Sequence, residues 1–356
     1  MTERLRTAAD ALLTLPFEAW HFGDSIAFEA MVAASEALGD TRYRDFAHGF
    51  SRGWAAARPE FRPLDCTAAG AAMCRIVEET GDDLLRRHLV ALGVYLTERP
   101  TIDGVYQTWT RSPLRESYGP VPLANWEREL LADPGPGVFV DCLHFDPPFF
   151  ARLSRITGDS RWLDEAVAQA RGYIRLLQDA EGGLFHHFVL ERTGTAHILG
   201  WARGQGWALL GLLEVIEELP DGDDRSELAA SARRLIHAMV RAQRPDGHWD
   251  AVAQRREGGV ETSTAAFLVA GFARAVRLDV IPAEEVGEAL ERSFAATVSS
   301  MGADGTLEGV SAAVWASTSI GHYDHVPRGF TVPWGQGPAV LAVIEHAQWS
   351  QEGARA

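Results

Sequence analysis

Thr157–Gln169 reads TGDSRWLDEAVAQ, and Leu38–Phe50 reads LGDTRYRDFAHGF. A third version of the pattern, TGDDLLRRHLVAL, begins at Thr80. Each follows one helical run and opens another. Glycine ends a helix because left-handed backbone costs it nothing, and aspartate caps the next helix by accepting its first free N–H groups. The pattern predicts tight turns between successive helices. A second echo is glycine before an apolar or aromatic residue: IDGVYQTW at 102, AEGGLFHHF at 180, PDGHWDAV at 245 and ADGTLEGV at 303. These read as short loops or strand-like turns closing helical hairpins.

The segments between these turns divide into two kinds. RWLDEAVAQARGYIRLLQ, ELAASARRLIHAMVRAQ and EEVGEALERSFAATVSSM carry one apolar stripe at helical spacing. WALLGLLEVIEEL and TSTAAFLVAGFARAV are apolar on nearly all faces. Striped helices belong outside and all-apolar helices inside, so the chain reads as an all-α toroid of two concentric layers, roughly a dozen helices in six hairpins. One barrel is expected over residues 1–356. The least helical stretch, about 108–140, holds ADPGPG and is expected to be a long loop over one mouth.

Of the 356 residues 46% are hydrophobic, enough for a sizeable core, and the formal net charge is −16. That balance argues against nucleic acid or an anionic membrane as partner, because both require a positive footprint. A small anionic ligand remains compatible, since one local arginine outweighs a distant field screened over about 10 Å. No secretory signal or membrane span is read in the sequence, and three cysteines without a C-x-x-C suit reduced thiols. A cytoplasmic location is the expectation. Oligomeric state is not legible.

For chemistry, GFSRG at Gly49–Gly53 matches a nucleophile elbow in letters but lies inside a helical pattern, where the strand that such an elbow needs is missing. HFD at His144–Asp146 and the pair His186–His187 lack metal-ligand spacing, so no metal and no cofactor is expected. Asp141, in GVFVDCLHFDPPFF, stands between apolar residues at the start of an inner helix. It is either an N-cap or a partly desolvated acid suited to protonating a substrate. Asp65, in FRPLDCTAAGAAM, has the same setting. Two such acids at one mouth suit acid–base work on a sugar. In GWARGQGW, Gly200–Trp207, indole faces for a sugar ring flank a guanidinium for a carboxylate.

These segments together resemble the unsaturated uronyl hydrolases of glycoside hydrolase families 88 and 105. The resemblance rests on LDCTAAG, FVDCLHFDPPFFARLSRITGD, GGLFHH, WARGQGW, ETSTAAFLVAGFARAVRL and the tail HYDHVPRG…WGQGPAVLAVIEHA, in the family's order. It implies an (α/α)6 barrel and removal of a terminal 4,5-unsaturated uronic acid from oligosaccharides. It implies Asp141 as proton donor to C4, Asp65 as the second acid, and His187, Trp201, Arg203, Trp207, Gln205 and Trp20 as substrate-binding residues. Gln205 stands where the family usually has asparagine. A sugar epimerase or saturated-sugar glycosidase on the same toroid is the alternative, with His144 and His187 in place of Asp141. A non-catalytic carbohydrate-binding protein is the second alternative.

Overall fold

The computed structural model describes residues 2–58, 60–61 and 69–353. Twelve helices of the described chain build the barrel: α1 (Thr2–Leu12), α2 (Phe22–Leu38), α3 (Arg42–Ala57), α4 (Gly70–Thr80), α5 (Asp83–Thr97), α7 (Cys142–Thr157), α8 (Arg161–Leu177), α9 (Ala202–Glu218), α10 (Asp223–Ala242), α11 (Thr262–Arg277), α12 (Ala283–Ser299) and α14 (Pro333–Gly353). Two shorter ones, α6 (Asn125–Ala132) and α13 (Ile320–Asp324), lie in the connections. The inner ring runs α2, α4, α7, α9, α11, α14, and α14 packs back on α2 to close it. The other barrel helices flank it, as α8 does α7 and α12 does α11.

The two layers follow from side-chain pattern. α9 is buried from Ala202 through Ile216 and α11 from Thr262 through Ala275. α8 and α10 each bury one stripe, such as Leu228, Leu235, Ile236 and Met239 of α10. Inner helices approach closely where side chains are absent. Pro147 cannot bond the Leu143 carbonyl, and α9 meets that carbonyl at Gly211, where a methyl group would collide with it.

The repeats have the expected backbone. Gly39, Gly81 and Gly158 end α2, α4 and α7 in the left-handed region. Asp82 caps α5 through Leu84 and Leu85 N–H, whereas Asp40 and Asp159 sit one residue earlier and accept from Arg42 and Arg161 N–H. The four later turns share one geometry, with φ of 82–86° at Gly104, Gly183, Gly247 and Gly305. They feed inner helices and so gather at the end of the barrel where those helices begin.

One stretch departs from expectation, and GFSRG does not. Beyond the short hairpin of β1 (Thr101–Ile102) and β2 (Val105–Tyr106), the stretch 108–140 is not all loop: it holds α6, whose Glu127 accepts the Ala124 N–H, and ends in β3 (Gly137–Phe139). β3 joins β4 (His186–Leu190) and β5 (Ala196–Leu199) in an antiparallel sheet at the mouth. GFSRG lies within α3, and Ser51 is buried with its hydroxyl donating to Ala47 O. That satisfied helical serine is no nucleophile.

Candidate active site

A cavity of about 670 Å³, open mouth included, lies at the N-terminal ends of the inner helices. His21 and Phe22 reach it from the start of α2, Phe139 and Asp141 from the junction of β3 with α7, and His187 from β4. Trp201 and Arg203 come from the start of α9. Trp109 and Pro113 of the mouth segment and Ala313–Trp315 complete the wall.

Asp141 opens α7 in helical backbone, and its side chain caps nothing. The carboxylate faces the cavity instead, with His187 Nε2 3.6 Å from Oδ2. The sheet places His187: Phe139 pairs with Phe188, and Val140 N–H donates to His187 O. On the ring's other side, Nδ1 lies 2.6 Å from the Tyr323 hydroxyl. Burial pulls His187 below the usual histidine range, against the pull of Asp141 and with the push of Arg203. Burial also holds the Tyr323 phenol well above its usual range, so it keeps its proton. The Asp141 carboxylate on the Nε2 side favours the tautomer with its proton on Nε2, and in that tautomer Nδ1 accepts from the phenol.

Trp201 lies against His187, ring centroids 4.3 Å apart, and the Arg203 guanidinium is 5.3 Å from the Trp201 ring. The motif's glycines make this arrangement fit. A Cβ at Gly204 would come within 2.6 Å of Trp201, and one at Gly206 within 2.6 Å of Phe267 of α11. Arg203 is fully buried. It pairs with Glu261 at 3.3 Å and donates to Ser311 Oγ at 2.6 Å and Ala312 O at 3.1 Å. Its Nε has no partner among the described residues. Burial lowers the Arg203 pKa, and Glu261 and Asp141 oppose that. Burial works to raise Glu261, but Arg203 and donors from Ser311, Ser263 and Thr264 outweigh it and hold the carboxyl low.

Four of the expected residues therefore meet at one cavity: Asp141, His187, Trp201 and Arg203. Asp65 lies outside the described residues. Three others stand elsewhere. Trp207 is one turn deeper than Arg203, in the core against His144, Phe145 and Phe267. Gln205 is a buried bracket: it accepts Phe185 N–H and donates to Phe185 O and Trp201 O, so its amide is spent on the backbone. Trp20 turns toward Trp54 and Phe61, while its neighbours His21 and Phe22 take the cavity wall. His21 Nδ1 accepts Gly23 N–H at the start of α2, an N-cap that WHFGDS signals by position. Glu261 and Trp315 carried no local signal.

The other candidates in the sequence are structural. Asp146 pairs with Arg99 at 2.5 Å. His144 lies inside the barrel between Glu29 and Glu214, 3.4 Å from each. These three side chains are close enough for a shared cation. Arg274, 2.7 Å from Glu29 and 3.7 Å from Glu214, already supplies the positive charge.

The sequence profile of glycosyl hydrolase family 88 matches residues 4–349. An unsaturated 3S-rhamnoglycuronyl hydrolase from Alteromonas sp. (strain LOR) is 22% identical over 219 residues, 60% of this chain. The chain spans about half of that relative, 52% of its length. Among solved structures, a possible member of the GH105 family from Salmonella enterica superposes with a TM-score of 0.85 at 18% identity, covering 98% of this chain and 93% of that one. The unsaturated glucuronyl hydrolase of Bacillus sp. GL1 superposes with a TM-score of 0.68 at 18% identity, covering 93% and 87%. Both likenesses establish the (α/α)6 fold.

Proposed function

The chain belongs to glycosyl hydrolase family 88, and from that membership we propose that it removes a terminal 4,5-unsaturated uronic acid from an oligosaccharide. One observation carries the reading: the Asp141 carboxylate, unused as a helix cap, faces a cavity walled by aromatic rings and the buried Arg203. The named relatives that act on unsaturated uronyl sugars support the substrate class.

The reaction is a hydration. Asp141 gives its proton to C4 of the C4=C5 vinyl ether, and positive charge develops at C5 and the ring oxygen. Water adds at C5, the resulting hemiketal opens, and the second sugar leaves. Alkene protonation is difficult in water, and an acid in an apolar cavity lowers that barrier. Neutral His187 keeps its Nε2–H toward Asp141 and adds no charge that would oppose proton transfer to carbon. Trp201 offers a face to the planar ring. Arg203 meets the sugar carboxylate with a charge fixed in place by Glu261, Ser311 and Ala312. Asp65 is assigned as the second acid on sequence alone.

The test is loss of the conjugated alkene's ultraviolet absorbance on a panel of lyase-generated glucuronyl and galacturonyl disaccharides. In D2O, deuterium should appear at C4. A panel on which no disaccharide loses its absorbance overturns the reading. The epimerase alternative needs two histidines across the cavity, and His144 is not at it; His21 and His187 are. Solvent exchange into a saturated sugar without alkene loss would favour that alternative.

A further inference from the structure

Trp315 lines the cavity yet is 37% exposed, and its backbone is left-handed at φ +56°. A bulky residue pays for that conformation, and such strain collects where a side chain has a task. The Arg115 guanidinium lies 4.1 Å from the Trp315 ring centroid. The two segments are tied in place, because Arg115 N–H donates to Ala316 O at 2.9 Å and Leu114 bridges Ala316. A guanidinium stacked on an indole keeps its in-plane N–H donors free. At Arg115 no described carboxylate or carbonyl takes them up: the side chain forms no ion pair or hydrogen bond among the described residues. Only Arg4 and Arg58 share that condition among the described arginines, and neither stacks on a ring of the cavity wall. In a chain of net charge −16, an exposed cation stacked on a ring of the cavity wall and unpaired among the described residues offers an anion a prepared seat.

We propose that Trp315 and Arg115 form the subsite for the second sugar, and that Arg115 reads an anionic group on it, a sulfate ester or a carboxylate. This rests on the uronyl-hydrolase reading for the first sugar. Arg203 takes the carboxylate of the terminal ring deep in the cavity, and Arg115 takes the second charge at the mouth. Trp315 stands between them as the stacking surface. Specificity for the second sugar is then set by the segment 108–140 and the approach to α13, apart from the helix starts that carry Asp141 and Arg203.

The experiment measures binding by calorimetry in an Asp141→Asn background of the full chain. The ligands are three unsaturated disaccharides whose second sugar carries a sulfate ester, a carboxylate or neither. One charged ligand should bind about tenfold tighter than the neutral one, and adding Arg115→Gln should remove that difference. The two charged arms identify which anion is read. Equal affinity for all three ligands, or a preference that survives Arg115→Gln, overturns the proposal. The uronyl-hydrolase reading fails separately, by lack of alkene loss in the unsubstituted enzyme while charge-dependent binding persists.

Discussion

The barrel buries charge in two places, and they are built on opposite plans. At the mouth, Asp141 and Arg203 border a cavity: Arg203 has Glu261 for an anion but its Nε has no partner among the described residues, and the Asp141 side chain caps no backbone N–H. Deeper in, five inner helices contribute a girdle: Glu29 from α2, His144 and Arg152 from α7, Glu214 from α9, Arg274 from α11 and Glu345 from α14. There each cation faces an anion. Arg274 holds Glu29 and Glu345 at 2.7 Å each, and Arg152 reaches Glu218 at 3.2 Å. Beneath the girdle opens a depression larger than the mouth cavity, yet its arginines are matched as well, Arg75 to Glu36 and Arg155 to Glu78. Size does not mark the site. Asp141 does, a carboxylate with no arginine in an ion pair with it among the described residues, beside a ring-walled cavity; in the girdle the charges offset one another even where atoms such as His144 Nε2 and Glu214 Oε1 lack a hydrogen bond.

Exchanging the two kinds of substitution tests the contrast. Asp141→Asn should lower turnover of an unsaturated disaccharide by about 10²–10⁴-fold, the usual contribution of a positioned acid, with an unchanged denaturant midpoint. Arg274→Ala should do the reverse. It leaves Glu29, Glu214 and Glu345 short of a cation, and breaking such a pair costs about 3–5 kcal/mol of stability. If Asp141→Asn unfolded the protein, or Arg274→Ala left the midpoint unmoved, the division between site and girdle would be wrong.

The girdle also predicts a pH dependence that the mouth does not share. Burial alone would lower His144, but Glu214 and Glu29 reverse that and raise it to about 9. A histidine raised on folding stabilises fully below its unfolded value near 6.5 and loses that contribution as pH climbs through about 9. The amount at stake is on the order of 3 kcal/mol. Unfolding free energy should therefore fall between pH 7 and pH 9.5, and His144→Gln should flatten the slope. A wild-type profile flat over that range would show that His144 is not held as a cation.

How much of this was legible follows from what is local. The turn glycines repeat in the sequence, so the toroid could be read from them, and all-apolar α9 and α11 announced the inner layer. Asp141, His187, Trp201 and Arg203 stood out because each sits beside a helix start or in a glycine turn. Trp207 could not be separated from Arg203 by pattern: four residues on, it shares a helix face and lies only about 6 Å deeper. Trp20 and His21 differ by one position, and the exact start of α2 decides which one faces the cavity. Gln205 was legible as polar but not as spent, since its partner Phe185 belongs to another hairpin. Glu261, Ser311, Trp315 and Tyr323 reach the site across long separations in the chain, as Arg203 does to Ser311, and no spacing rule encodes that.

Tyr323 offers the finest cut, because it touches the site only through another residue. Its hydroxyl lies 2.6 Å from His187 Nδ1 and, in the tautomer that Asp141 favours with the proton on Nε2, donates to it. Tyr323→Phe removes that donor while keeping the ring that fills the core. The hydrogen bond is worth about 1 kcal/mol, so the stability change should be small and turnover should fall by roughly tenfold at most. The distinctive effect is on pH dependence. Nδ1 accepts a hydrogen bond only when it carries no proton, so the phenol opposes formation of the imidazolium. Without it, His187 is protonated more easily, and the acid limb of the kcat/KM profile should move to higher pH. A loss of stability with no movement of that limb would reduce Tyr323 to a packing residue, and with it the claim that the mouth, unlike the girdle, is arranged to keep its histidine neutral.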